Sequence, residues 1–167
     1  MKRFVVIAAL AALPVLAAAP AFADTATHAP AKKVSAAAST TVESEVVRLT
    51  NAQRTAHGCP ALKIDDRLVQ AARAHSTDMV SERFFSHTGS NGSSFVARET
   101  AAGYPKRDAA AENIAWGYRT PKDVVTGWMN SPGHRANILN CRSIAVGVGV
   151  AYTSGGAPYW TQDFGRS

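Results

Sequence analysis

Apolar positions in this chain recur first with helical and then with strand spacing. Val42, Val46, Leu49 and Gln53 return every three or four residues until Gly58 ends the run, and Thr40 with Glu43 forms a capping box at its start. Asp65-Asp66 opens a second helix whose stripe is Leu68, Ala71, Ala72, His75 and Met79. Gly89 to Ser94 reads as a turn-rich loop, and Phe95 to Ala102 as a third helix closed by Gly103. Thr120-Pro121 sets a cap beside a proline at the first helical position and predicts a fourth helix burying Val124, Val125 and Trp128. Ser131-Pro132 repeats the signal for a short helix to about Leu139. The period then changes. Ile144, Val146, Val148, Val150 and Tyr152 alternate with Ala145, Gly147, Gly149 and Ala151, which predicts a strand whose small face lies close under a helix. Ser154-Gly155-Gly156 predicts a hairpin turn and Pro158 to Phe164 the returning strand. Helices first and antiparallel strands last give an α+β class.

The segments ahead of this pattern have another character. Lys2 and Arg3 precede an apolar stretch from Phe4 to Ala19, broken by Pro14, and Ala21-Phe22-Ala23 is a small-x-small cleavage site. Residues 1–23 therefore read as a signal peptide cut after Ala23, too short and too interrupted for a membrane anchor, so the product is expected outside the cell and not integral to the membrane. Residues 24–40 are rich in Ala, Ser, Thr, Pro and Lys, and read as a flexible tether in which His28 is a bystander. Residues 41–167 are left as one domain.

Charge and cysteines add two constraints. The formal charge of +6 falls to +4 once Lys2 and Arg3 leave with the leader. That mild excess suits an anionic wall or headgroup surface, while no basic stripe with interleaved aromatics points to nucleic acid. No long apolar surface run is present, which favours a monomer. Cys59 and Cys141, the two cysteines of an exported chain, are expected to form one disulfide closing a loop of about 80 residues, worth up to ~4.5 kcal/mol by the chain-entropy argument.

Candidate chemistry rests on few residues. His57 sits at a helix end, and His75 lies on the apolar stripe, where a hydrogen-bonded core imidazole is the expected role. His87 and His134 stand at the edges of turn-rich stretches, and Glu112 is a lone acid among apolar neighbours that needs a partner. These three can converge on a divalent cation such as Zn²⁺, with His87 and His134 as ligands, or form a metal-free cluster that orders loops. Ser86 and Ser131 adjoin the two histidines, yet no G-x-S-x-G elbow accompanies them, and there is no HExxH, phosphate-binding loop or dinucleotide fingerprint.

The segments AARAHSTDMVSERFFSH (71–87), AAENIAWGY (110–118), GWMNSPGHRANILN (127–140), AVGVGVAY (145–152) and YWTQDFG (159–165) closely resemble the bacterial branch of the CAP superfamily, the SCP-like extracellular proteins. The likeness runs from about Val42 to Phe164. It implies a three-layer α-β-α sandwich with a central antiparallel sheet, and a shallow cleft holding two His and two Glu. His87, Glu112 and His134 match three of these, with Asn113 beside them. The second Glu is missing, because Trp128 is followed by Met129, Asn130 and Ser131. Three functions follow as expectations. The first is a non-enzymatic extracellular module binding a wall polymer, a lipid or a protein through this cleft. The second is a secreted, metal-dependent hydrolase or peptidase in which Glu112 and His134 are the catalytic candidates and Glu112 is the general base. The third is a purely structural His/Glu clamp.

Overall fold

The computed structural model describes residues 36–167, with side chains from Thr40 onward; the leader and most of the tether lie outside the described residues. A four-stranded sheet in the order β1-β3-β4-β2 is built from β1 (Lys63–Ile64), β2 (Ala109–Trp116), β3 (Ala145–Tyr152) and β4 (Pro158–Gly165). β3–β4 and β4–β2 pair antiparallel, and the two-residue β1 joins β3 in parallel. Among the described residues five α-helices accompany it: α1 (Ala36–Ala56), α2 (Asp66–Ser81), α3 (Phe95–Ala101), α4 (Pro121–Asn130) and α5 (Pro132–Ile138).

The alternation along β3 divides the molecule into its layers. Val146, Val148 and Val150 join Val46 and Val47 of α1, Val124 and Trp128 of α4, and Trp160 and Phe164 of β4 in one apolar core. On the opposite face a Cβ at Gly147 would fall into the Leu68–Val69 peptide, and one at Gly149 into the Ala72–Arg73 peptide. Helix α2 therefore rests directly on the sheet backbone, as the small-residue face predicts. Asp65 caps α2 by accepting from Arg67 N, and Thr120 caps α4 by accepting from Asp123 N, both at the expected places.

The start of α1 differs from expectation. Among the described residues the helix already runs from Ala36, so Thr40 lies within it. Ala36, Ala37 and Ala38 are strong helix formers and extend the helix backwards past the capping box. Glu43 is not turned to its own helix end. Its buried carboxylate accepts from Arg73 Nε at 3.0 Å and from Val150 N at 3.1 Å, joining α1 to α2 and β3.

Cys59 and Cys141 form the expected disulfide, with Cα atoms 4.9 Å apart. Beside it Arg54, fully buried, donates to the carbonyl oxygens of Pro60, Ile138, Asn140 and Ser143 at 2.6–2.9 Å. The end of α1 is thus bound to the segment joining α5 to β3.

Candidate functional site

The site lies along β2, the edge strand, where both helical layers reach round it. Glu112 on β2 has a side chain 1% exposed, and both of its oxygens are engaged. Oε1 accepts from His87 Nδ1 at 2.7 Å, and Oε2 accepts from the Arg98 guanidinium of α3 at 2.5 Å. Arg98 also donates to the carbonyls of His87 and Ser93, which fixes the loop carrying His87. With Nδ1 held by a buried carboxylate, the half-exposed His87 ring presents Nε2 outward.

His134 arrives from α5. Asn113 donates to its carbonyl at 3.3 Å and to Gln162 Oε1 at 3.2 Å, and accepts from Asn137 at 2.9 Å; Gln162 in turn donates to Thr50 of α1. A buried amide chain therefore sets the depth of α5 against the sheet. Burial, reinforced by nearby His87, lowers the His134 pKa, so its imidazole is neutral at pH 7. Trp128 Nε1 and Asn137 Nδ2 donate to the outward carbonyls of Ile114 and Glu112, occupying edge positions of β2 that would otherwise be open.

Sequence reasoning thus places His87, Glu112, Asn113 and His134 at one locus. It misses Arg98, and it misses two further acids behind Glu112. Asp163 stands opposite Glu112 in the β2–β4 register, and Glu99 follows Arg98 on α3; both are buried. Burial and the Glu112 charge raise the Glu99 pKa to about 8, and burial with the charges of Glu112 and Glu99 raises Asp163 well above its ordinary value. Protonated, these groups add no charge beside Glu112. The alternation of β4 carried the only signal: Tyr159, Thr161 and Asp163 share the face away from Trp160 and Phe164, and a three-layer fold buries that face too.

The remaining candidates take the roles of scaffold. His75 is fully buried and its Nε2 meets Ser86 O at 2.9 Å, while burial lowers its pKa. His57 Nδ1 meets Gln53 O at its own helix end. Ser86 Oγ accepts from Thr88 N and has no part with His87.

The donors fit a Zn²⁺ site poorly. Among the described residues no group of three or more His, Cys, Asp and Glu is arranged to hold a metal ion. Glu112 already serves His87 and an arginine, so two imidazoles remain where a zinc centre takes three or four protein ligands. The same engagement holds Glu112 behind His87, with one oxygen on His87 Nδ1 and the other on Arg98.

Next to the histidines the surface is aromatic. A cleft of about 270 Å³ is lined by the buried Ile114, Ala115 and Trp128, by the exposed rings of Phe85, Trp116 and Tyr118, and by Ser131 and His134. Tyr159 stands edge-on to Phe85 and tilted against Trp116, with ring centroids 6.3 and 6.0 Å away.

Residues 47–164 match the CAP family, described as the cysteine-rich secretory protein family. The chain belongs to the CAP family. It is 44% identical over 124 residues to the uncharacterized protein YkwD of Bacillus subtilis (strain 168), an alignment covering 73% of this chain and 46% of that protein. It is 37% identical over 125 residues to the uncharacterized membrane protein YlbC of the same strain, covering 75% and 34%. Among solved structures, an extracellular protein containing an SCP domain from Bacillus anthracis str. Ames superposes with a TM-score of 0.71 at 31% identity, over 78% of this chain and 42% of that one. This CAP chain therefore spans less than half the length of each of these relatives. Among its described residues no helix is long and apolar enough to cross a membrane.

Proposed function

We propose that this CAP domain works outside the cell as a binding module, exported by the leader of residues 1–23, with its ligand seated between His87 and His134 and over the adjoining aromatic cleft. The observation that carries this reading is the state of Glu112. Its two oxygens are committed to His87 and Arg98 in the protein itself, so the cluster shapes a surface without offering an exposed carboxylate for chemistry. Two imidazoles and a set of half-exposed rings remain to meet a ligand, and a concave, mainly apolar wall with few polar groups is the usual form of a binding site. The B. anthracis relative, an extracellular protein, supports the location.

The test is a set of isotherms with purified wall material, lipid vesicles and Zn²⁺, using wild type, His87→Ala and His134→Ala. Saturable binding to wall material or vesicles, weakened about tenfold in His134→Ala while the melting temperature holds, is the expected result. Absence of binding to every probe by a folded protein overturns the reading. A hydrolytic reading has one observation in its favour, the His87 Nε2 held outward by Glu112 as a base would be. Turnover abolished in the same two variants would move the assignment to it.

A further inference from the structure

A second depression continues the aromatic cleft. Tyr118, Gly127 and Ser131 line both, and beyond them the surface carries Arg119, Asp123 and Asn130. The result is one open groove in which flat ring faces are interspersed with hydrogen-bonding groups.

Three features describe what fits it. First, the rings are exposed yet held: Trp116 is 57% exposed, Phe85 51% and Tyr118 40%, and Tyr159 braces the first two. Tyr118 is seated by an absence, since a Cβ at Gly127 would lie 2.6 Å from its ring, so this helix position is open only to glycine while the ring stays in place. Secondly, the charged side chains lining the groove are Arg119 and Asp123, one of each sign, and give no net attraction to a polyanion or an anionic headgroup. Thirdly, the groove is shallow and polar-rimmed, where an acyl chain would need an enclosed apolar channel. A pyranose ring satisfies all three conditions. Its axial C–H bonds are weakly positive and lie against the negative face of an aromatic ring, while its equatorial hydroxyls reach sideways to polar groups.

We infer that the groove from Phe85 and His134 to Arg119 and Asp123 binds an uncharged chain of sugar rings, stacked on Trp116 and Tyr118. This rests on the cleft being a binding site and adds the class of ligand. Stacking supplies most of the affinity, His134 and Ser131 set the position of the ring over Trp128, and Arg119, Asp123 and Asn130 receive the next rings along.

The experiment is calorimetric and fluorescence titration of the full chain with a soluble chitin oligosaccharide, and separately with phosphatidylglycerol vesicles. Wild type is compared with Trp116→Ala, Tyr118→Ala, Gly127→Val and, on the exposed β1 away from the groove, Ile64→Ala. Expected is saturable oligosaccharide binding that persists in about 0.5 M NaCl and falls about tenfold in Trp116→Ala and Tyr118→Ala. Gly127→Val, which keeps every aromatic but unseats Tyr118, reproduces the loss, and Ile64→Ala does not. Melting curves confirm that each variant is folded, and Tyr118→Ala carries the test if Gly127→Val is not. Oligosaccharide binding that is absent, or indifferent to Trp116 and Tyr118, overturns the inference. Vesicle binding that depends on His134 would then leave the binding-module reading standing with a lipid ligand; binding of neither probe removes the inference, and the binding-module reading falls with it only if wall material and Zn²⁺ also fail to bind.

Discussion

Among the described residues Glu99 has no ion-pair partner of its own, and it sits fully buried beside Arg98, whose guanidinium is already given to Glu112. The physical outcome is a carboxyl that keeps its proton in the folded chain, with a pKa raised to about 8 by burial and then by Glu112. The folded state holds this proton more tightly than the unfolded one, so the group's contribution to stability is complete below the ordinary glutamate value of about 4.5 and is lost as pH rises through about 8. Asp163, raised by the same causes, acts in the same direction. His75 and His134 act oppositely: burial lowers both, so their contributions hold above about 6.5 and are lost on acidification. The window above about pH 6.5 therefore isolates the acids. The melting temperature of wild type should fall steadily between about pH 6.5 and 8.5, and Glu99→Gln, which keeps the shape without a titrating proton, should flatten that fall. Identical slopes in the two proteins would show that Glu99 does not carry the proton. At this scale the sequence exposes the polar residues whose neighbours are odd, such as Glu112 among alanines and His134 after Pro132-Gly133. It hides Arg98 and Glu99, because adjacent charges on a short helix look like a solvated face until a sheet is laid against them.

Elements whose ends are written in side-chain chemistry are the ones readable in advance. Asp65, Thr120 with Pro121, and Ser131 with Pro132 mark where α2, α4 and α5 begin, and the alternation of β3 and β4 is unbroken. Strand β2 has no such mark. Its sequence, AAAENIAW, holds one β-branched residue and three leading alanines, and becomes a strand through pairing with Thr161 to Phe164 of β4. β1 is two residues long and is set by its pairing with β3, including bonds to Ile144 and Val146, and by Asn51, which clasps Leu62 just before it. The start of α1 fails as a reading for the converse reason, since a capping box is a signal only where the preceding residues resist the helix. The contact of α2 with β3 is backbone against backbone. Gly149→Ala puts one methyl into the Ala72–Arg73 peptide, where backbone on both sides prevents relief by a rotamer change. It should destabilise the chain by about 3 kcal/mol or more, and Gly155→Ala, in the open β3–β4 turn, by less than about 1 kcal/mol. Urea titration of the pair checks this, and comparable losses would mean that α2 yields.

Across the whole molecule two ties act on the same place from different states of the chain. The disulfide joins residues 82 apart, and its stabilisation comes mainly from the freedom it removes from the unfolded chain, up to ~4.5 kcal/mol. Arg54 acts only when folded: its guanidinium meets four carbonyls, three of them from Ile138, Asn140 and Ser143 around Cys141. Arg54→Met leaves the buried Ile138 and Ser143 oxygens without the guanidinium, while Asn140 O keeps Ser143 N, and should cost about 3 kcal/mol or more. Neighbouring groups that share a function normally give non-additive losses. Here the losses should add to within about 0.5 kcal/mol, because one tie alters the unfolded ensemble and the other the native contacts. The measurement is urea unfolding of four proteins: wild type, Cys59→Ser/Cys141→Ser, Arg54→Met, and the combination. If the combined loss is clearly smaller than the two separate ones, the disulfide works by holding the carbonyls in place for Arg54, and the unfolded-state account is wrong. If it matches them, Arg54 and the Asn113 amide chain hold the native geometry under α5 without the disulfide. His134 would then keep its position in a reduced chain, and ligand binding at the cleft would survive reduction at temperatures where the fold does.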